Sequence, residues 1–186
     1  GEVGVNGVTV ELYADDGFGN PTGPMLDSDL TVGDGTNDGY YLFDYLETGD
    51  YIVVIPAAEL GVGGTLEGYW SSSTNMLANG TPDETRITGS TDDDADSDDN
   101  GLLLSGDVIS VPITLGPTAI EQTLEGDLNA GSQGSQPDSQ ANMTVDFGFY
   151  TMTLGNLVWD DADNSGTVTG VEAGINNVTV QLYAQN

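Results

Sequence analysis

The chain has 186 residues and a formal net charge of −30, because 31 acidic residues face a single basic one, Arg86. Charge of this sign and density repels nucleic acid and anionic lipid, which excludes both as partners. The absence of cysteine and histidine excludes disulfides, Ser–His and Cys–His nucleophile pairs and zinc sites of the usual kind.

Strands are predicted along the whole chain and helices nowhere. Apolar residues alternate with polar ones in several short runs, which is typical of half-buried strands. The runs are bounded by turn residues, and the chain contains 27 glycines. Strands are predicted at 8–14, 40–45, 50–55, 108–115, 143–150, 154–160 and 178–184. Together they predict an all-β fold of the sandwich type.

Three details refine this prediction. The turn "LETG" between 40–45 and 50–55 predicts a β-hairpin whose loop contains Gly49. Pro112 indicates that its strand lies at an edge or carries a bulge. The longest apolar run, 51–58, is too short to cross a bilayer, which takes about 20 residues, so no membrane insertion is expected.

The end of the chain repeats its beginning. Residues 172–186, "EAGINNVTVQLYAQN", match residues 2–16, "EVGVNGVTVELYADD", at nine of fifteen positions with a constant offset of 170. A match of this length at one offset indicates an internal repeat. We therefore expect two copies of one domain. Residues 154–186 would be the start of the second copy, and the start of the first copy would be missing before residue 1.

A calcium loop is predicted in front of the second copy. Residues 161–172, "DADNSGTVTGVE", fill each defining position of the twelve-residue pattern D-x-[DN]-x-[DNS]-G-x5-E. Gly166 would make the sharp turn. The alternative is a polar turn between two strands. Strands rather than helices flank the loop, so its scaffold is not that of an EF-hand. The predicted ligands are Asp161, Asp163, Ser165, the carbonyl of Thr167 and Glu172, with Glu2 closing the equivalent loop of the first copy.

Two further acidic clusters are candidate calcium sites. Six of the eight residues 92–99 are Asp, whereas adaptation to high salt would spread acids evenly. The run "DSDDNGLLLSGD", 96–107, fits the loop pattern with an Asp at its closing position. The third cluster, "DGTNDG" at 34–39, is as well explained by a hairpin-type turn. The candidate ligands are Asp92, Asp94, Asp96, Asp98, Asn100 and Asp107 in the second cluster, and Asp34 and Asp38 in the third.

Four motifs resemble the SdrD B-like domains of bacterial surface proteins, which are related to the collagen-adhesin B-type domains. They are "GNLVWDDADNSGTVTGVEAGINNVTVQLYA", "GYYLFDYLETGDYIVVI", "DDDADSDDNG" and "MTVDFGFY". The resemblance implies an immunoglobulin-like, prealbumin-type β-sandwich with long calcium-binding loops. It implies several Ca²⁺ ions, an extracellular or cell-surface location, and tandem or head-to-tail copies. By this analogy 1–150 is one sandwich lacking its first strand and most of its first calcium loop, and 151–186 opens the next repeat. The chain has no lysine, which excludes the Lys–Asn isopeptide bond of related domains.

The function expected from these features is structural: an extracellular repeat of a bacterial surface stalk or filament, rigidified by Ca²⁺ bound in Asp-rich loops and at the domain junction. The array could be one long chain with tandem copies, or separate chains joined by strand addition. A ligand-binding adhesin module for a glycan or a cell-surface protein is the alternative. No acid/base pair of a glycosidase can be named, so no enzyme is expected. Sequons mark possible glycosylation at Asn79, Asn142 and Asn177.

Overall fold

A computed structural model of the protein describes residues 3–33, 35, 38–72, 74–76, 82–84, 99–117, 136 and 140–183. The chain divides into two compact units, Gly1–Thr151 and Met152–Asn186. Within the described residues the regular secondary structure of the first unit is almost entirely antiparallel strand, which confirms the predicted all-β, sandwich-type fold. No helix among the described residues is long and apolar enough to cross a membrane.

Among its described residues the first unit contains ten strands and one single-turn helix. The strands are β1 (Thr9–Asp15), β2 (Pro21–Leu30), β3 (Gly49–Ile55), β4 (Tyr69–Ser71), β5 (Thr74–Met76), β6 (Pro82–Glu84), β7 (Leu102–Leu104), β8 (Asp107–Ile109), β9 (Ile113–Leu115) and β10 (Phe149–Thr151), and the helix α1 (Ala57–Leu60) follows β3. The largest sheet has the order β2-β1-β3-β8-β7, with β9 also paired to β3. Two smaller sheets pair β4 with β10 and β5 with β6.

Strand β3 lies at the centre of the largest sheet and is buried on both faces. On one face Tyr51 and Val53 join the main core around Leu12, and Ile55 joins a neighbouring cluster with Leu66 and Val108. On the other face Ile52 and Val54 pack with Ile109. Burial on both faces accounts for the uninterrupted apolar run of this strand. Burying one such aliphatic side chain contributes about 1.5–3 kcal/mol, so β3 is a major source of stability.

The predicted hairpin between 40–45 and β3 is wrong. Strand β3 pairs with β1 on one side and with β8 and β9 on the other, so both of its edges are occupied. In the described part of 40–45, Tyr40 alone forms a bridge, to Val32. Alternation of apolar residues therefore identified a strand-like run but not its neighbour.

Other predicted strands are confirmed in part. Strand β1 agrees with 8–14, whereas 108–115 is split around Pro112 into β8 and β9. Of 143–150, the last two residues belong to β10. Strand β2 was not predicted, since its prolines, glycine and aspartates are typical of turns; it lies at a sheet edge, where proline is tolerated.

Strand β2 is largely exposed and carries two carboxylates near its end. The side chains of Asp27 and Asp29 accept hydrogen bonds from the backbone N–H groups of Ser28 and Leu30, each at 2.8 Å. The other oxygen of Asp29 accepts the N–H of Leu42 at 2.9 Å. This edge therefore presents acidic groups where an unprotected strand would present free amides.

Glu59 of α1 ties three segments together. Its two carboxylate oxygens accept the backbone N–H groups of Thr9 and Thr65, each at 3.1 Å. Partial burial raises the pKa of Glu59, but the hydrogen bonds from Thr9 and Thr65 outweigh burial and hold the pKa below its ordinary value. The ionised carboxylate is thus the form that joins α1 to β1.

This contact makes a pH-dependent contribution to stability. Because the folded pKa is depressed, the stabilisation is present above the unfolded pKa of about 4.3 and is lost as pH falls through the folded value. Glu59→Gln should therefore reduce stability at pH 7 and make its decline below about pH 5 shallower than in the parent chain. Urea unfolding from pH 3 to 7 measures this slope, with Glu47→Gln as the control for net charge. Identical slopes for the parent and Glu59→Gln would contradict the assignment.

Candidate metal centre

The second unit contains the predicted calcium loop between two short arms. The first arm ends at Asp160 and the second begins at Ala173. An antiparallel bridge joins Trp159 to Gly174, and backbone hydrogen bonds run from Asp160 N to Ala173 O at 3.0 Å and from Ile175 N to Val158 O at 2.8 Å. The arms close the base of the loop, which brings its first and last residues together.

The beginning of the loop folds around the carboxylate of Asp161. Its oxygens accept the backbone N–H groups of Ser165 and Gly166, each at 2.9 Å, and Asp163 also accepts from Ser165 N at 3.0 Å. Asn164 and Gly166 have φ values of +57° and +72°, the left-handed region that Asn and Gly adopt most readily. These two residues let the chain turn sharply enough to wrap one carboxylate.

The N–H donors also set the charge state of the loop. The hydrogen bond from Gly166 N, followed by that from Ser165 N, holds the pKa of Asp161 below its ordinary value. Asp161 is therefore ionised over the whole neutral range and part of the acid range, as a cation ligand must be.

The end of the loop brings a third carboxylate to the first two. Glu172 Oε2 accepts the N–H of Thr169 at 2.7 Å, while Oε1 is buried and has no hydrogen-bond partner among the described residues. One oxygen from each of Asp161, Asp163 and Glu172 lies within 4.8 Å of the others. Two oxygens that bind the same Ca²⁺ at about 2.3–2.6 Å are at most about 5 Å apart. The three carboxylates therefore fit one ion.

Ser165 and Thr167, the two other predicted ligands, contact each other. Ser165 Oγ donates to the carbonyl of Thr167 at 3.1 Å and lies 3.2 Å from its hydroxyl. The Ser165 hydroxyl and the Thr167 carbonyl lie on the same loop as the carboxylates, where they are available as ligands to a bound cation. Carboxylates at this separation repel one another, and a divalent cation bound between them would relieve that repulsion.

The second predicted cluster is described only at its end, since Asp92, Asp94, Asp96 and Asp98 lie outside the described residues. Asn100 is buried, and its Oδ1 accepts Asp146 N at 2.8 Å. Asp107 accepts Ala57 N at 2.8 Å at the closed end of the β7–β8 hairpin, whereas Asn100 precedes its open end. The structure does not bring these two residues together.

Asp99, which was not among the predicted ligands, is held by two backbone N–H groups. Its Oδ1 accepts Gly101 N at 3.1 Å and Gly148 N at 3.0 Å. It joins the end of the acidic run to the segment before β10. Its position in the sequence offered no signal, because it falls between the alternate positions of the loop pattern.

In the third cluster Asp34 lies outside the described residues, as does Glu2 at the start of the chain. Asp38 is exposed, and its Oδ1 accepts a hydrogen bond from Asn6 Nδ2 at 2.7 Å. This contact ties 38–39 to the segment before β1. Within the described residues, 161–172 is the one group of three acidic side chains with metal-ligand spacing.

The sequons differ in their surroundings. Asn79 lies outside the described residues, and Asn177 is exposed at a φ of +62°. Asn142 Oδ1 accepts hydrogen bonds from the N–H and the hydroxyl of Thr144, which is fully buried. Glycosylation remains a prediction at all three.

Trp70, the aromatic residue considered for ligand stacking, is half-buried in β4 opposite Tyr150.

The sequence is similar over its whole length to Serine-aspartate repeat-containing protein D of Staphylococcus aureus. It is 29% identical over 188 residues to the protein of strain Newman, and equally so to those of strains MW2 and NCTC 8325 / PS 47. The match covers 100% of this chain but only 10% of the Newman protein and 9% of the other two. No protein-family model and no solved structure matches the chain. The similarity is consistent with an SdrD B-like domain.

Proposed function

We propose that this chain is an extracellular structural repeat of a bacterial surface stalk or filament, rigidified by Ca²⁺ bound in its Asp-rich loops. The observation that carries the proposal is the grouping of Asp161, Asp163 and Glu172 within 4.8 Å, with Glu172 Oε1 buried and without a hydrogen-bond partner. The similarity to SdrD is consistent with a location outside the cell at the bacterial surface. The proposal includes no catalytic role.

The geometry suggests how an ion would stiffen the segment. Asp161 and Asp163 follow the first arm and Glu172 precedes the second, so one ion would hold both arms at once. Without the ion, the base of the loop is closed by the two backbone hydrogen bonds that form the Trp159–Gly174 bridge. Extracellular calcium modules have Kd values of about 10⁻⁴–10⁻³ M, so a site of this kind would be filled outside the cell at millimolar calcium.

Terbium luminescence offers a direct test, because Trp159 lies two residues before Asp161 and can transfer excitation energy to a bound Tb³⁺. We expect the intact chain to sensitise Tb³⁺, and Ca²⁺ to displace it at lower concentration than Mg²⁺. Trp159→Phe should remove most of the signal and leave calcium affinity unchanged, which locates the ion. A signal that Ca²⁺ does not displace would contradict a calcium site.

Rigidification has a separate readout in amide hydrogen exchange. We expect saturating Ca²⁺ to slow exchange at the amides of Asp160 and Ile175 at least tenfold, because the ion ties together the arms that these amides join. Binding of Ca²⁺ with unchanged exchange at both amides would leave an ion site without the proposed mechanical role.

A further inference from the structure

Asn6 and Gly7 form an exposed Asn–Gly pair just before β1. Such a pair can deamidate, because no Cβ on the glycine hinders attack of its backbone nitrogen on the asparagine side chain. Gly7 N loses its proton to hydroxide and bonds to Asn6 Cγ, and the Cγ–Nδ2 bond breaks to release ammonia. Water then opens the cyclic succinimide. The product is Asp, or isoAsp when the chain runs through the former side chain.

The fold holds both reacting groups apart. Gly7 N donates to the carbonyl of Thr31 at 2.7 Å. The side chain of Asn6 is held at both ends, since Nδ2 donates to Asp38 Oδ1 at 2.7 Å and Oδ1 accepts Gly39 N at 2.9 Å. An N–H group that donates a hydrogen bond must be released before it can lose its proton, as in amide hydrogen exchange. Three hydrogen bonds therefore oppose ring closure.

Backbone packing adds to this restraint. A Cβ on Gly4 would overlap the carbonyl oxygen of Asp38, and a Cβ on Gly39 would lie 2.9 Å from the Cα of Gly4. Residues 38–39 are thus in direct backbone contact with residues 3–7. The succinimide can form only when 3–7 opens away from 38–39 and from Thr31.

We propose that Asn6 is a deamidation site whose reaction is controlled by the opening of residues 3–7, and whose product hinders their closing. Deamidation replaces Nδ2, a donor to Asp38, with an oxygen, so that two carboxylates face each other and repel. In isoAsp the backbone also gains one carbon before Gly7. This displaces Gly7 N and Val8 N from the carbonyl and hydroxyl of Thr31, to which they donate.

The repeat offers a comparison for the same backbone. At the offset of 170 the counterparts of Asn6 and Gly7 are Asn176 and Asn177. Gly7 and Asn177 both have a left-handed backbone, with φ values of +81° and +62°. In the second copy a side chain therefore hinders ring closure at a position of the same conformation. The inference goes beyond the proposed function and involves no metal, so either can fail without the other.

Peptide mapping by mass spectrometry measures the reaction in the intact chain. The 186-residue protein is incubated at pH 8, folded or in urea, and the mass gain of the amide-to-acid conversion is followed at Asn6. We expect deamidation at least tenfold slower in the folded protein than in urea. Gly7→Asn, which copies the second repeat and tolerates the positive φ, should slow the reaction in urea at least tenfold. Equal rates at Asn6 in the folded and unfolded parent chain would overturn the proposal.

Asp38→Ala tests the restraint itself. Loss of the acceptor for Asn6 Nδ2 should raise the rate at Asn6 at least threefold in the folded protein. Asn100, a buried residue of a second Asn–Gly pair, should keep its rate, which separates a local effect from general destabilisation. Asp50→Ala removes the same charge beyond the Tyr51–Ala14 pair, at the end of β1 away from Asn6, and should change neither rate. An unchanged rate at Asn6 in folded Asp38→Ala contradicts control by this contact.

The effect of the product is tested with Asn6→Asp, which has the same side chain as the deamidated protein. Amide hydrogen exchange at Gly7 and Gly39 should be at least tenfold faster than in the parent, because the two carboxylates hold residues 3–7 and 38–39 apart. Combining Asn6→Asp with Asp38→Asn again places an amide donor opposite a carboxylate and should restore slow exchange. Exchange in Asn6→Asp as slow as in the parent overturns the proposed effect on closing.

Discussion

Replacing Leu12 with alanine is expected to reduce the free energy of unfolding by about 2–5 kcal/mol. Leu12 is 2% exposed and packs with Val10, Val53 and Ile113 in the main core. Truncation removes the transfer free energy of the side chain and leaves a cavity in the main core. In a domain of about 150 residues this loss lowers the melting temperature by about 5–15 °C.

The repeat provides a matched control. Leu182 has the same sequence context, "VTVQLYA" against "VTVELYA", but is 83% exposed. Leu182→Ala should therefore change the free energy of unfolding by less than about 0.5 kcal/mol. Urea unfolding followed by circular dichroism measures both variants. Equal losses would mean that the two copies have the same burial in solution, contrary to the structure.

Glu172→Gln is expected to weaken calcium binding at the 161–172 loop at least tenfold. The substitution keeps the size of the side chain but removes a charge and one anionic oxygen, so the remaining amide cannot hold the ion as a bidentate carboxylate does. It also removes the carboxylate that accepts Thr169 N, which positions the end of the loop. Calorimetric titration with Ca²⁺ at low ionic strength gives the affinity directly.

Asp160→Asn is the control for this change. Asp160 is exposed and adjacent to the loop, and its backbone rather than its side chain joins the arms. The variant has the same net charge as Glu172→Gln, so a general electrostatic effect would weaken calcium binding equally in the two variants. Calcium affinity that falls alike in the two variants would remove Glu172 from the ligand set.

The sequence predicted the strand class of the fold and the grouping of carboxylates in 161–172 because both depend on short-range patterns. Alternation of Val8, Val10 and Leu12 requires one buried face, and the structure buries all three. The spacing of Asp161, Asp163 and Glu172 within twelve residues likewise determines which carboxylates a single turn can gather, and the structure gathers them.

Short-range patterns could not predict which strands pair with each other. The run 40–45 and strand β3 have a short connection that favours a hairpin, yet β3 has β1, β8 and β9 as partners. Partners separated by tens of residues are selected by packing over the whole domain, and a period of two in one segment carries no information about them. Strand β2 was not predicted because its proline, glycine and aspartate residues are typical of turns. Such residues are tolerated in a strand mainly at the edge of a sheet.

The acidic edge of β2 has a consequence for any array of such domains. Similar repeats held close together are at high local concentration, where an open strand edge would pair with the wrong copy and trap the chain in a misfolded state. Pro21 and Pro24 remove two amide donors from this edge, and Asp27 and Asp29 occupy two more with their own carboxylates. Neighbouring copies would then repel each other side by side along β2, so this edge is protected against pairing with the wrong copy.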